Sequence, residues 1–282
     1  MKILCFGKNG QVAKELFKTY ADARFVSSNE CNFLEPLKVK EFLESVLDKP
    51  DIIINAAAYT KVDLAEEEQD QALNINCNSI KILAEYCKAN NIILLSFSTD
   101  YVFDGNGTEE YKELDASRED IFKPVNFYGF SKLEGERAIV NSGCKYYIIR
   151  TSWVYGDGAN FVKTMANLIT TKEEIKVIND QIGSPTYAGD IANAVFYILK
   201  NQLPFGTYHC TNEGFISWFE FAVKIKDILS TKYTKLANII PVSSDVFKTK
   251  AKRPLNSRLK KEKLKDIVVP FEDSLTKYLT LL

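Results

Sequence analysis

The chain has 282 residues, of which 46% are hydrophobic and 26% charged, and a formal net charge of −1. That length can bury a full core, either as one large domain or as a domain with a smaller lobe. The balanced charge gives no electrostatic ground for a nucleic-acid partner, and no apolar run is long enough to span a membrane.

Lys2-Ile-Leu-Cys-Phe6 is a short apolar run that opens into Gly7-Lys-Asn-Gly10-Gln-Val-Ala13, after which Glu15, Leu16 and Phe17 continue with helical character. A strand that turns through glycines into a helix leaves unpaired N–H groups and a positive dipole end, which suits the pyrophosphate of a dinucleotide. The spacing Gly-x-x-Gly-x-x-Ala also occurs in plain tight turns; its place directly behind a first strand favours the nucleotide loop. Further apolar runs at Arg24 to Val26, Asp51 to Asn55, Ile92 to Ser98 and Tyr146 to Arg150 alternate with helical patterns. Such alternation predicts an α/β chain with a Rossmann-type, doubly wound parallel sheet covered by helices on both faces. Ligands on these sheets bind beyond the carboxyl ends of the strands. Asn55-Ala-Ala-Ala-Tyr-Thr60, Ser98-Thr-Asp-Tyr101 and Arg150-Thr-Ser-Trp-Val-Tyr155 all fall there. Ala56, Ala57 and Ala58 leave room for a dinucleotide, and close packing of a helix on a strand asks for the same small residues.

Pro124-Val-Asn-Phe-Tyr128-Gly-Phe-Ser-Lys132 reads as a turn followed by a helix. Residues four apart share a helix face, so Lys132 is expected to set its charge beside the Tyr128 phenol. A nearby cation favours the phenolate and would bring a group that ordinarily titrates near ~10 towards a useful range. Among 14 tyrosines and 36 Lys and Arg residues, Tyr-x-x-x-Lys should arise roughly once by chance, and this is its single instance. With Thr99 ahead of it, the set supplies a hydroxyl, a phenol and an ammonium in the order a carbonyl reductase needs.

Beyond residue 155 the alternation loosens. Gly156 to Phe161 reads as a loop before an amphipathic helix through Ile169, Ile175 to Ile178 leads into a polar turn, and from Phe215 onward the pattern predicts helices joined by short loops. The expected division is a dinucleotide-binding domain over 1–155, its sheet completed by later segments, and a smaller, mostly helical, mainly substrate-binding lobe over 156–282. Lys248 to Lys265 alternates basic and apolar residues and is expected to be a solvated helix face. The six cysteines lack a Cys-x-x-Cys pair and mostly sit in apolar runs. They read as buried thiols of a cytoplasmic protein, with no amino-terminal signal pattern. The single histidine, His209, falls in a late strand, and with no Gly-x-Ser-x-Gly elbow this leaves little room for a serine hydrolase or a histidine-ligated metal.

The ordered set Gly7-x-x-Gly10-Gln-Val, Ala56-Ala-Ala-Tyr-Thr-x-Val-Asp63, Ser98-Thr-Asp-Tyr-Val-Phe103, Tyr128-Gly-x-Ser-Lys-Leu-x-Gly-Glu136, Arg150-Thr-Ser-Trp-Val-Tyr-Gly156, Asp180-Gln-x-Gly-Ser-Pro-Thr186, Thr211-Asn-Glu-Gly214 and Arg253-Pro-x-Asn-Ser257 resembles the dTDP-4-dehydrorhamnose reductases, which are extended short-chain dehydrogenase/reductases. The resemblance implies NADPH- or NADH-dependent reduction of the 4-keto group of dTDP-4-dehydro-6-deoxy-L-mannose to dTDP-L-rhamnose, for surface polysaccharide synthesis. It implies a catalytic set of Thr99, Tyr128 and Lys132. Gly7, Gly10, Gln11, Val12, Ala56, Ala57 and Ala58, with Tyr128 and Lys132, would hold the cofactor, and Val62, Asp100, Tyr101 and Trp153 would line the sugar-nucleotide site.

The chain departs from that pattern in places. Ala13 replaces a third glycine, and Asn32 stands where many members carry an aspartate near the adenine. Members of the family form homodimers with magnesium held by glutamates; Glu15 matches one such position, Asp190 is a similar residue, and no third partner is evident. NAD and NADP are told apart by a carboxylate or an arginine at the end of the second strand. Here Ser27 and Ser28 stand there, with Glu30 beyond and Arg24 before, so neither rule is met. Two other readings share the fold. One is a nucleotide-sugar 4,6-dehydratase or epimerase; a dehydratase would carry an Asp-Glu pair after the threonine, but Tyr101 follows Asp100. A non-catalytic NADP-binding regulatory protein would have no need of Thr99, Tyr128 and Lys132.

Overall fold

A computed structural model describes residues 1–114, 116 and 121–281. The first half alternates strand and helix: β1 (Ile3–Phe6), α1 (Gln11–Thr19), β2 (Arg24–Val26), α2 (Pro36–Ser45), β3 (Ile52–Asn55), α3 (Gln69–Leu73), α4 (Ser79–Asn90), β4 (Ile93–Thr99), α5 (Phe127–Ser142) and β5 (Lys145–Thr151). A wider π turn at Asn74–Asn78 joins α3 to α4. There follow β6 (Val154–Tyr155), α6 (Phe161–Thr171), β7 (Glu174–Ile178), β8 (Ile182–Gly183), β9 (Thr186–Tyr187), α7 (Ala188–Lys200), β10 (Gly206–His209), β11 (Ile216–Ser217), α8 (Trp218–Leu229), β12 (Asn238–Val242) and α9 (Phe271–Thr280).

Six strands form one sheet in the order β2, β1, β3, β4, β5, β10, every pair parallel. Because helices cover both faces, its central strands are apolar at successive positions and do not alternate with polar residues. β1 and β3 are buried at all four residues. Successive side chains point to opposite faces. Cys5, Ile54, Leu95 and Tyr147 pack beneath α1 and α7, against Leu16, Ile191 and Val195. Leu4, Phe6, Ile53 and Leu94 pack on the other face against Val39, Leu83 and Ile139 of α2, α4 and α5. The order reverses between β1 and β3, which opens a crevice at their carboxyl ends.

The second core is built from α6, α8 and α9 with the β7–β12 pair, around Val162, Phe221, Ile225 and Leu275. Two expectations are corrected here. The chain after Phe215 is not only helices and short loops, since β12 intervenes and residues 243–270 run as a long irregular strap with two short helical turns. Lys248 to Lys265 is accordingly no solvated helix face. Tyr111 and Leu259 form a parallel bridge, Lys260 donates its backbone N–H to Tyr111, and Leu259 and Lys261 are buried. Alternating basic and apolar residues fit an extended strap with one face inward, and Pro254 denies the segment a continuous helix.

Helix α5 is seated with unusual closeness. A Cβ at Gly135 would stand 2.0 Å from the Asn76 carbonyl oxygen, and one at Gly129 2.2 Å from that of Tyr101. Asn126 caps the helix by accepting the Gly129 N–H at 2.8 Å. Glu136 joins it to the sheet: Arg150 on β5 donates to Glu136 through Nε at 2.9 Å and Nη2 at 2.6 Å, with both residues fully buried. Removing one member of a buried pair leaves the other charge uncompensated. Glu136→Met is therefore expected to lower the unfolding free energy by about 3–5 kcal/mol. Urea denaturation of the two proteins at equal pH checks this, and a loss under about 1 kcal/mol would show that Arg150 finds adequate partners elsewhere.

Candidate active site

At the carboxyl ends of the strands lies a cleft of about 880 Å³, walled by the starts of α1 and α5, the segment after β3, the turn after β4, and Trp153. A second cavity of about 820 Å³ opens beneath the strap and shares Tyr101, Phe161, Trp218 and Arg253 with the cleft. A third, of about 230 Å³, lies between the ends of β1 and β2 and is lined by Gly7, Lys8, Ser28, Asn32 and Phe33. The three are joined through shared residues: Gly10, Ala56, Ala57 and Ala58 face both the cleft and the third cavity.

The glycine loop has two distinct roles. Gly7 takes φ +89°, and a Cβ there would lie 2.5 Å from the Ala56 backbone, so this residue lets β1 and β3 stay together as the chain turns. Gly10 is extended, with φ −75°, and begins α1 without any side-chain cap. The helix's first N–H groups therefore face the crevice, where an anion is favoured. Asn55 holds the opposite wall, accepting the Ala57 N–H at 3.2 Å while donating to Ser96 at 3.1 Å. Ala56 and Ala57 also pack against the two sheet cores, the close packing read from the sequence, while all three alanines line the cleft. Gln11 lines the cleft, but its carboxamide oxygen accepts from Asn160 at 3.1 Å, tying the start of α1 to the start of α6.

Thr99, Tyr128 and Lys132 meet in the wall of the cleft. Thr99 ends β4, donates its hydroxyl proton to Asp100 Oδ1 at 3.0 Å and accepts the Tyr101 N–H at 3.2 Å. The Lys132 ammonium donates to the Phe97 carbonyl at 2.7 Å. Burial lowers Lys132 to about 8, and the nearby Glu136 carboxylate partly restores it. Tyr128 is shifted the other way: the protein around it pushes the phenol up to about 12, hydrogen bonding with Thr99 draws it down, and the Asp100 charge raises it again. The expectation that Lys132 brings the phenol towards neutral titration is thus corrected. Sharing a helix face places the two Cβ atoms together, whereas the ammonium reaches past the ring to the β4 backbone. A phenol shifted in this direction holds its proton at neutral pH and can give it up to a stronger base.

On the other side of the cleft, Trp153 has φ +49°, uncommon for a bulky residue. Its indole lies on Trp218 with ring centroids 3.5 Å apart at 11°, and a Cβ at Gly183 would stand 2.7 Å from the Trp153 ring. Asp100 is buried, and Tyr101 meets the Tyr128 ring edge-on at 5.5 Å. Val62 borders the cleft beside Asp63, whose carboxylate receives Arg253 at 2.7 and 3.2 Å; the guanidinium fastens the strap over both cavities. Behind this wall, Asn76 bonds to the Tyr59 backbone and to Ser131.

Of the residues picked out from the sequence, all but Gly7 and Glu15 line the one cleft, and Gly7 lines the cavity next to it. Glu15 lies buried on α1 and pairs with Lys18 at 2.7 Å. Among the described residues no group of three or more His, Cys, Asp or Glu side chains could hold a metal ion, so no role is derived for magnesium. Trp218, Phe161 and Arg253 were missed as site residues. Arg253 carried a signal in its Arg-Pro-x-Asn-Ser motif; the two aromatics carried none, since an aromatic opening a helix is ordinary.

A glycine-turned crevice at the sheet's reversal point, with a Thr, Tyr and Lys set beside it, defines a Rossmann-fold protein of the short-chain dehydrogenase/reductase kind. Residues 1–281 match the family described as the RmlD substrate binding domain. The dTDP-4-dehydrorhamnose reductase of Aggregatibacter actinomycetemcomitans is 39% identical over 271 residues, 92% of this chain and 90% of that protein. Among solved structures, the Clostridium acetobutylicum dTDP-4-dehydrorhamnose reductase superimposes with a TM-score of 0.91 at 37% identity, covering 100% of this chain and 99% of the other. The Bacillus anthracis enzyme, solved in complex with NADP, gives 0.89 at 36% identity over 100% and 99%. The chain belongs to the dTDP-4-dehydrorhamnose reductase family.

Gly10 has an ordinary φ, and a Cβ there would meet the Gly7 carbonyl at 3.3 Å and the Ala56 carbonyl at 3.8 Å. Gly10→Val should therefore fold, while its branched side chain fills the space in front of α1. Calorimetric titration is expected to show NADPH or NADH affinity at least about tenfold weaker, a loss of about 1.4 kcal/mol. Unchanged affinity in the folded variant would make the loop a plain turn.

Proposed function

We propose that the chain reduces the 4-keto group of dTDP-4-dehydro-6-deoxy-L-mannose to give dTDP-L-rhamnose, for surface polysaccharide synthesis. The observation that carries this reading is the continuity of one cleft from the open start of α1, past Tyr128, to the strap cavity closed by Arg253. A cofactor and a sugar nucleotide can thereby meet at Tyr128. The relatives named dTDP-4-dehydrorhamnose reductase, which match over most of the chain, support the same substrate.

A bound reduced nicotinamide supplies the hydride, and NADPH or NADH both suit the residues at the start of α1. Tyr128 gives its proton to the oxygen of the reduced carbonyl, and Thr99 bonds the same oxygen. Lys132, held by the Phe97 carbonyl, keeps a positive charge in the cleft wall, where it would favour the developing alkoxide and help hold the cofactor. Val62, Asp100, Tyr101 and Trp153 line the sugar side. In the strap, Lys248 and Lys252 bring positive charge to the cavity that would take the diphosphate, beside Lys250 and Arg253, which are paired with Glu67 and Asp63. The six unpaired cysteines, five of them buried, support a reducing, cytoplasmic setting.

Incubation with NADPH or NADH and the dTDP-linked 4-keto sugar should consume the cofactor and yield the 4-hydroxy product by NMR. Release of a 4-keto sugar from dTDP-glucose without net cofactor consumption would support a dehydratase instead. Tyr128→Phe keeps the ring and removes the acid, so kcat should fall roughly a hundredfold or more with cofactor affinity nearly intact. Near wild-type turnover in that variant, with a deuteride isotope effect showing chemistry to be rate-limiting, would require another acid. Lys132 should impose a second signature: the rate should decline as pH rises through about 8, where its ammonium loses its proton.

A further inference from the structure

A threonine hydroxyl has one proton to donate and two lone pairs. In Thr99 the proton goes to Asp100 Oδ1 at 3.0 Å, and one lone pair takes the Tyr101 N–H at 3.2 Å. The other lone pair is open to the Tyr128 phenol, which hydrogen-bonds with Thr99 in the cleft wall, so no proton of Thr99 is left for the cleft. In that state Thr99 accepts hydrogen bonds and repels an oxygen that is gaining negative charge. The reduction needs the opposite, a donor at that oxygen.

Asp100 has the features of a group that can release this proton. It lines the cleft yet is only 2% exposed, and its second oxygen, Oδ2, is buried without a hydrogen-bond partner of good geometry. Among the described residues no cation pairs with it: burial pushes its carboxyl up to about 6, and the Ser257 and Thr99 hydroxyls pull it only partly back. The titratable groups facing it are Tyr101 from its own turn and Tyr128 from α5. Both phenols are shifted upward and stay neutral over the range where Asp100 titrates. Arg253 acts on Tyr101, and Ser257 of the strap contributes only a hydroxyl.

We propose that Asp100 is a positioning residue: when its carboxyl takes up a proton, the Thr99 hydroxyl is freed from it and turns to donate to the oxygen being reduced. This rests on the reductase reading and on Thr99 facing that oxygen. Asp100 acts through Thr99 and transfers nothing to the substrate. The ionised form holds Thr99 as an acceptor, so hydride transfer is slower above the titration of Asp100 and faster below it.

The test is single-turnover hydride transfer to the dTDP-linked 4-keto sugar between pH 4.5 and 7.5, below the range in which Lys132 loses its charge, with a deuterated cofactor confirming that chemistry is observed. Wild type should be about tenfold or more faster at the acid end, the scale of one hydrogen bond to a developing oxyanion. Asp100→Leu and the closer-shaped Asp100→Asn both remove the ionisable group, and in both the acid limb should vanish. In Asp100→Leu the rate at pH 7 should equal that variant's own rate at pH 4.5. Thr99→Val should be slow and equally flat. A limb that persists in both Asp100 variants, or in Thr99→Val, overturns the proposal; in the latter case Asp100 would be acting on the substrate directly. Failure of wild type to oxidise NADPH or NADH with this sugar at any pH would remove the reductase reading itself, and this proposal with it.

Discussion

The site depends on the ion pair between Arg150 and Glu136. Arg150 is the largest side chain buried without exposure, and its remaining donors reach the Leu114 carbonyl at 2.8 Å and the ring of His209 at 3.4 Å. The Phe122 and Phe103 rings lie 4.7 and 5.2 Å from its guanidinium. A buried pair of this kind is weak evidence of stability, because desolvating two ions offsets much of their attraction. What it does supply is position. Glu136 sits one helical turn after Lys132, so fixing Glu136 to β5 fixes the rotation of α5. That rotation carries the Lys132 ammonium to the Phe97 carbonyl and presents Tyr128 to the cleft. Among the described residues the same carboxylate is the charge that favours the protonated form of Lys132. His209 beside Arg150 is held well below its usual titration by burial and by the guanidinium, so it adds no second cation to the cluster.

Each wall of the cleft comes from a different element, and each is held by bonds that do not face the ligand. Asn55 sets the turn of the alanines, Asn76 the loop behind Tyr59, and Asp63 the strap through Arg253. The polar atoms left unpaired in this region belong to residues that line the cleft: Ser98 Oγ, Thr151 Oγ1 and Asp100 Oδ2 are all buried without partners. Other lining residues, among them Gln11, Lys132 and Arg253, are partnered and belong to the frame, so the unpaired atoms are confined to part of the cleft surface.

The sheet was legible because its strands are short apolar runs and its glycine loop follows the first of them. The strand edges expected at Ile3, Phe6, Arg24 and Val26 coincide with those observed. Most of the site was legible for the same reason, since strand ends in such a sheet converge. What escaped was set by tertiary structure. Trp218 and Phe161 enter the cleft from the second core, and no local pattern marks a helix-opening aromatic as a wall of someone else's crevice. The strap was misread because alternation of lysine with apolar residues was taken for a solvated helix surface when Pro254 and a period of two favour extended chain. The ionisation of Tyr128 was misread because four-residue spacing fixes Cβ positions and says nothing about where a long lysine side chain ends.

The sixth strand has a consequence for how the chain can be assembled. β10 pairs with β5 through Tyr147, Ile148, Ile149 and Arg150, yet more than fifty residues, from β6 through α7, lie between them in the chain. During synthesis, β5 waits as an open edge, with Arg150 lacking its His209 neighbour, until Gly206–His209 emerges. An open edge of this kind, rich in Tyr and Ile, is a template for pairing with other chains. A fragment ending near Tyr155 would keep the nucleotide loop and Tyr128 but would carry that edge permanently. Cutting the chain there exposes a strand edge that the whole protein covers, although the glycine loop and Tyr128 are both contained in the first half of the sequence.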